Sequence, residues 1–332
     1  MSTFIIAELS ANHNHDWELT EKTIRAIATT GADAVKVQTY TPDSLTLDVD
    51  NEYFGPRKEG LWKGRRPYEL FKEGSLPYEW HQRIQDLANE LGLTFFSTPF
   101  DLEGVDFLET LNVPIYKIAS LEITDIPLIR YVASKNKPMI ISTGVADIED
   151  IELAIETCRN EGNQDITLLK CTSEYPAQIS DANLLTIPEI KNRFGVKVGV
   201  SDHSFGSTVP MVAVALGATV VEKHIILDRN LGGPDADFSM EPHEFKEMVE
   251  KVREVEQSLG KITFDVSEKN KSRRRSIFVS QDIKQGEVFT NKNIKSVRPG
   301  AGLHPKFYNE VIGKKASKNY KKGTPLDIST IE

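Results

Sequence analysis

Eight short runs rich in β-branched and aromatic residues alternate with amphipathic stretches between residues 3 and 258 of this 332-residue chain. The runs are Phe4–Leu9, Ala34–Thr39, Thr94–Thr98, Ile115–Ala119, Pro138–Thr143, Ile166–Cys171, Lys197–Asp202 and Thr219–Ile225. Between them the apolar period lengthens. Ile148, Ile151, Ile155 and Cys158 recur at helical spacing after the fifth run, and Phe245, Met248, Val249, Val252 and Val255 do so after the eighth. Strand–helix alternation predicts a parallel sheet, because each return to a parallel neighbour needs a crossover. Eight such units in about 250 residues match a closed (β/α)8 TIM barrel. The competing architecture is a doubly wound open sheet, but the first βα turn lacks the glycine-rich phosphate fingerprint of such sheets.

The rhythm breaks twice. Residues 41–77 are rich in Pro, Gly, Trp and charge and follow the second strand; an insertion there lies on a barrel's catalytic face and commonly forms a lid. Residues 261–275 read as a polar linker after a barrel domain of residues 1–260. Residues 276–332 then read as a small β-rich domain, with strands at Ser276–Val279 and Ile294–Val297, a turn at Lys284-Gln285-Gly286 and a close at Gly323-Thr324-Pro325. So small a module is marginal alone and is expected to dock against something.

Charge divides along the same line. Residues 271–332 carry 14 Lys and Arg against 5 Asp and Glu, a balance of +9, while residues 1–270 carry 26 against 44, a balance of −18. A basic tail can signal nucleic acid, but no aromatic platform or nucleic-acid motif accompanies it, so no nucleic-acid partner is expected. It is expected to pack on an acidic body, its own or a partner's. No apolar run approaches the roughly 18 residues that span a bilayer, and no leader-like segment precedes Phe4, so no membrane association is expected. Two cysteines form no disulfide framework, which suits a reducing, cytoplasmic setting.

Almost every predicted strand finishes in polar residues, where a barrel builds its active site. The series runs Glu8 with Asn12 and His13; Lys36 and Gln38; Ser97 and Thr98; Lys117, Ser120 and Glu122; Ser142 and Thr143; Lys170, Ser173 and Tyr175; Ser201 and His203; Glu222 and His224. Singly, such residues are turn formers, caps or salt-bridge partners. Converging from six or more strands on one mouth, they read as a site. Burying Lys36 and Lys117 without an anion would cost several kcal/mol each, which predicts an anionic ligand. His203 and His224 close consecutive strands and are the metal candidates. Imidazole with oxygen ligands suits Mn²⁺, Co²⁺, Fe²⁺ or Zn²⁺, and Mg²⁺ less comfortably. No P-loop, nucleophile elbow or zinc-protease pattern occurs.

In this order along the chain, Ala-Glu-Leu-Ser-Ala-Asn-His (7–13), Val-Lys-Val-Gln-Thr (35–39), Phe-Ser-Thr-Pro-Phe (96–100) and Tyr-Lys-Ile-Ala-Ser (116–120) resemble motifs of the sialic acid synthase family, the phosphoenolpyruvate-dependent nonulosonic acid synthases. So do Ile-Ser-Thr-Gly (141–144), Lys-Cys-Thr-Ser-Glu-Tyr-Pro (170–176), Ser-Asp-His (201–203) and Glu-Lys-His (222–224). Asp-Ile-Lys-Gln-Gly-Glu (282–287) and Ser-Val-Arg-Pro-Gly (296–300) resemble that family's antifreeze-like (SAF) module. Within the family, Ser10-Ala11-Asn12-His13, Thr39 through Leu45, Pro77 through His81, Gly302 through Tyr308, and Ser173 in place of an Asn point to the branch whose product is pseudaminic acid. His15 departs from the pattern, standing where many relatives carry Gly.

The resemblance implies a transferase that condenses phosphoenolpyruvate with a 2,4-diacetamido-2,4,6-trideoxyhexose, with C–O rather than P–O cleavage. By it, Lys36, Thr98, Lys117, Ser120, Ser142 and Ser201 hold phosphoenolpyruvate. His203 and His224 hold a divalent metal, Mn²⁺ or else Mg²⁺ or Co²⁺, that activates the sugar aldehyde. Gln38, Glu122, Ser173, Tyr175 and Asp235 line the sugar pocket, and Arg298 reaches it from the neighbouring subunit of a domain-swapped homodimer. Glu8 is the candidate to orient or deprotonate the attacking water, or to assist ring closure. Three rivals stand beside this: the same chemistry on the hexoses of legionaminic or N-acetylneuraminic acid, a Schiff-base aldolase using Lys117 or Lys170, and a non-catalytic carbohydrate- or ice-binding C-terminal module with an inert barrel.

Overall fold

Residues 2–330 are described by a computed structural model of the protein. All eight predicted runs are strands: β1 Phe4–Glu8, β2 Ala34–Thr39, β3 Thr94–Pro99, β4 Tyr116–Ile118, β5 Met139–Ser142, β6 Ile166–Cys171, β7 Lys197–Asp202 and β8 Val220–His224. They pair in chain order and close through β1 and β8 into a parallel barrel. The open sheet is thereby excluded.

Strand parity divides the barrel into a wall and a lumen. Ile5, Ala7, Val35, Val37, Phe95 and Ile118 join the core against the surrounding helices. Ile6, Ala34, Phe96, Ile140, Leu169 and Val220 form a second apolar cluster, the plug of the lumen. Two residues further along the same face of each strand the plug gives way to Glu8, Lys36, Thr98, Ser142, Cys171 and Glu222, with Lys117 and Ser201 in phase on β4 and β7. The site residues are therefore the layer above the plug. Lys170 falls on the other parity, between two lumen-facing residues, and bonds the Cys171 carbonyl at 2.8 Å.

Several loops leaving the strand ends stop at an aspartate that caps the next helix. Asp16 accepts from Leu19 N ahead of the helix Trp17–Ala28, and Asp101 from Gly104 N ahead of Leu102–Thr110. Asp125 and Asp147 do the same for Ile126–Ser134 and Ile148–Asn160. Each cap satisfies first-turn N–H groups and is worth roughly 1 kcal/mol. Each thereby fixes the length of a loop carrying site residues.

The chain forms two compact units, Met1–Gly260 and Lys261–Glu332. In the second, β9 Ser276–Val279 pairs antiparallel with β10 Ile294–Val297 over a small core that includes Ile277, Phe289 and Leu326. No helix among the described residues is long and apolar enough to cross a membrane.

Candidate active site

Four charged side chains stand at the lumen's centre. Lys36 Nζ lies 2.7 Å from Glu8 Oε2 and 3.7 Å from Glu222 Oε1, and donates to Thr98 Oγ1 at 3.2 Å. Lys117 Nζ lies 3.9 Å from the same Glu222 oxygen and donates to Ser142 Oγ at 2.7 Å. Ser201 Oγ donates to Glu222 Oε1 at 3.2 Å. All four charged side chains are at most 6% exposed. The anion that two buried lysines require is thus already present in the protein, as two carboxylates. Glu222, named by its strand-end position but given no role by the motifs, is the group both ammoniums share.

Burial pushes the Glu8 carboxyl up to about 7; Lys36 opposes the rise, and Glu222 adds to it. For Glu222 burial is outweighed by Lys117 and Lys36, which hold the carboxyl below its ordinary value. Burial lowers the Lys117 ammonium; Glu222 opposes this and Lys36 reinforces it. The lumen therefore combines a firmly ionised carboxylate, a carboxyl that shares its proton near neutrality, and an ammonium whose charge an arriving anion would favour.

Above this layer the rings of His203 and His224 meet edge to face, centroids 5.3 Å apart. Phe238 packs on both, at 6.0 and 4.9 Å, and Tyr175 lies 4.4 Å from His203. His203 Nδ1 donates to the Thr172 carbonyl at 2.9 Å. Burial lowers His203, but the Cys171 thiol and the Thr172 carbonyl outweigh it and raise its pKa. His224 is held well below the ordinary value by burial and by the cations around it, so it is a neutral imidazole. Its Nδ1 is buried without a hydrogen-bond partner, 3.9 Å from Asp235 Oδ2. Among the described residues no group of three or more His, Cys, Asp and Glu side chains gathers in metal-binding geometry. The imidazole pair, with one orphaned nitrogen, is what the protein offers a cation.

A cavity of about 410 Å³ opens beside the pair, lined by Gln38, Ser120, Glu122, Ser173, Tyr175, His224 and Asp235. Of the sequence-predicted residues, Glu8, Lys36, Thr98, Lys117, Ser142, Ser201 and His203 are not in its lining; they are packed in the lumen. Gln38 bridges the two zones, its Nε2 donating to Glu8 Oε1 and to Ser10 Oγ, each at 3.0 Å. Ser10 in turn donates to Asp235. Ser173 Oγ donates to Ser120 Oγ at 2.8 Å. Burial raises Glu122 to about 7 and raises Asp235. Arg298 belongs to the second unit, where it is exposed and flanks a recess with Arg273, Arg274 and Arg275.

The insertion supplies part of this lining. Arg57, Leu61, Trp62, Leu70 and Phe71 face the cavity. Trp62 Nε1 donates to the Pro234 carbonyl at 2.9 Å, and its ring lies 5.6 Å from that of Tyr175. His13 and His15 anchor the insertion's far end, donating to the Gly74 and Glu73 carbonyls at 3.2 and 3.0 Å. His15 takes φ 52°, the left-handed region in which Gly is at ease. Its bond to Glu73 helps hold that conformation. Sequence patterning missed Trp62, which lies in a turn, and Phe71, which lies in the short helix Pro67–Gly74; their size within a polar segment was the available signal.

The sequence profile of the NeuB family matches residues 23–264, and that of the SAF domain matches residues 274–332. A pseudaminic acid synthase of Campylobacter jejuni is 50% identical over 326 residues, 97% of this chain and 95% of its own. One from Helicobacter pylori is 47% identical over 332 residues, covering 99% and 97%. Among solved structures, the N-acetylneuraminic acid synthetase of Leptospira borgpetersenii in complex with citrate superposes with a TM-score of 0.72 at 32% identity, over 81% of this chain and 89% of that one.

Proposed function

The chain belongs to the NeuB family, and on that premise we propose that it condenses phosphoenolpyruvate with 2,4-diacetamido-2,4,6-trideoxy-altrose and water, giving pseudaminic acid and phosphate. The observation that carries the reading is the shared carboxylate of Glu222, within 4 Å of two buried ammoniums, beside a sugar-sized cavity and a facing imidazole pair. A Schiff-base lysine would need a free amine facing the substrate. Lys170 is on the wrong strand face, and Lys117 is engaged by Ser142 and the Ile118 carbonyl.

The reaction forms one C–C bond, from the enol C3 of phosphoenolpyruvate to the sugar's aldehyde carbon. Water oxygen adds at C2, the C2–O bond breaks, and phosphate leaves with all its oxygens. Lys36 and Lys117 are the cations for the phosphate and carboxylate groups, with Thr98, Ser120, Ser142 and Ser201 as hydroxyl donors. Thr98 and Ser142 already hydrogen-bond the ammoniums, so the arriving anion exchanges with these protein partners. Gln38, Glu122, Ser173, Tyr175 and Asp235 orient the sugar. Glu8, poised near neutrality and tied to Gln38, is the proton acceptor for the attacking water. His203 and His224 fit a divalent cation: the two rings face each other, and His224, a neutral imidazole with an orphaned buried nitrogen, is a natural donor. Bound there, Mn²⁺, Mg²⁺ or Co²⁺ would supply Lewis-acid polarisation of the aldehyde.

We assign the chemistry to residues 1–260 and a completing role to residues 276–332, joined by the linker 261–275. In this reading the protein is a cytoplasmic, domain-swapped homodimer whose Arg298 enters the partner's sugar pocket; the opposite charges of the two parts support it. Phosphate release, measured side by side with the diacetamido-trideoxy-altrose, its legionaminate counterpart and N-acetylmannosamine, tests the function. The first should be preferred, and turnover should vanish on chelation and return with a divalent cation. Equal or better turnover of another sugar, or full activity after chelation, would contradict the reading.

A further inference from the structure

The cavity's polar lining comes from the barrel strands and their loops, joined by Arg57 and Glu59 of the insertion; a second part of the wall is apolar. Tyr40, Leu45, Leu61, Leu70, Phe71 and Phe100 form it, four of them from the insertion. Tyr40 is the keystone, its ring packed edge to face on Phe100 at 5.3 Å and on Phe71 at 6.3 Å. The segment bearing Leu61 is a closed loop, with Arg57 N bonded to the Arg65 carbonyl at 2.9 Å and Gly64 N to the Arg57 carbonyl at 2.8 Å. Trp62 fastens it to Pro234 across the cavity. The wall is therefore held in place rather than left to collapse.

We propose that this apolar wall is the specificity element, selecting a hexose whose carbon 6 is a bare methyl instead of a hydroxymethyl group. The inference rests on the reading of the site as a nonulosonate synthase. Its physical basis is asymmetric desolvation. A hydroxyl pressed against Phe71 and Leu61 loses its water and finds no donor or acceptor on either side chain, whereas a methyl releases ordered water and gains contact. The polar side would then do the work common to the hexosamines, reading the ring hydroxyls and the aldehyde end. The insertion would distinguish one hexosamine from another. An apolar pocket discriminates by roughly 10- to 200-fold per group of this kind, enough to set a preference without a dedicated hydrogen bond.

The test compares kcat/KM for 2,4-diacetamido-2,4,6-trideoxy-altrose with that for N-acetylmannosamine, in the unmodified enzyme and in Leu61→Asn and Phe71→Gln. Leu61 is 39% exposed, so its substitution leaves the core intact. Titration with phosphoenolpyruvate alone checks that the lumen is undisturbed in both variants. The ratio should fall at least about tenfold in each variant, mostly through KM for the trideoxy sugar. A ratio within twofold of the parent, in variants that bind phosphoenolpyruvate normally, would overturn the proposal. Absence of turnover of either sugar by the unmodified enzyme would instead overturn the reading on which it stands.

Discussion

Lys223 Nζ lies 2.6 Å from Asp202 Oδ2, an ion pair with side chains only 1% and 3% exposed, standing between the strand ends that present His203 and His224. Asp202 Oδ1 also accepts from Ser204 N at 2.8 Å. By parity both charged residues point away from the lumen while their neighbours point in. The pair sets how β7 and β8 present the two imidazoles. Asp202→Asn or Lys223→Met leaves one buried charge alone and should lower unfolding free energy by about 3–5 kcal/mol. The double variant should lose less than the sum of the two. Denaturant midpoints of the four proteins measure this; additive losses would show that the pair is not coupled.

Lys117 and Lys36 should fail differently when truncated. Lys117→Met removes one cation from Glu222 but leaves Lys36 in place, so the fold should persist while phosphoenolpyruvate binding weakens by about 100-fold or more. Lys36→Met leaves the buried Glu8 without its ion-pair partner and Glu222 with Lys117 alone, and should cost stability as well as affinity. Calorimetric titration beside thermal melts separates the two outcomes.

Gly144 leads out of β5 where there is no room for a side chain. A Cβ there would lie 2.2 Å from Ser173 Oγ and 2.6 Å from Ser120 Oγ. Gly144→Ala should break the Ser173–Ser120 hydrogen bond and turn both hydroxyls out of their positions in the cavity. KM for the sugar should rise about tenfold with the fold retained. An unchanged KM would remove these serines from the sugar's contacts.

Acid should destabilise the barrel through a histidine outside the site. His81 is fully buried, its Nε2 at 2.8 Å from the Thr39 hydroxyl and its Nδ1 donating to the Pro77 and Tyr78 carbonyls at 3.2 Å. Burial lowers it from 6.5 to about 4. The folded state therefore resists a proton that the unfolded chain accepts. This stability is complete above 6.5 and is lost as pH falls from there toward 4, by roughly 3 kcal/mol in all. Unfolding free energies at pH 7, 6 and 5 should show the decline, and His81→Gln should flatten part of it.

Most of the fold was legible because it is repetitive: each strand's β-branched run is followed by a helix-period stretch, and parity then dictates which residues enter the lumen. β4 shrank from the expected Ile115–Ala119 to Tyr116–Ile118, because the chain turns into a short 3-10 helix at Ser120–Glu122. The convergence of Lys36, Lys117, His203 and His224 was legible for the same reason. Two features were not. Both lysines sharing Glu222 depends on distances across the lumen, which strand-end positions do not encode. The insertion's inner surface depends on long-range contacts such as Trp62 with Pro234, made between segments without periodicity.

The central claim is a condensation in which water attacks carbon at a site built from two lysines and two imidazoles. Turnover of phosphoenolpyruvate and the trideoxy sugar in ¹⁸O-labelled water, followed by mass spectrometry of both products, tests it most directly. The account predicts a nine-carbon acid and phosphate free of the label. Labelled phosphate, or phosphate released without the nine-carbon acid, would contradict it.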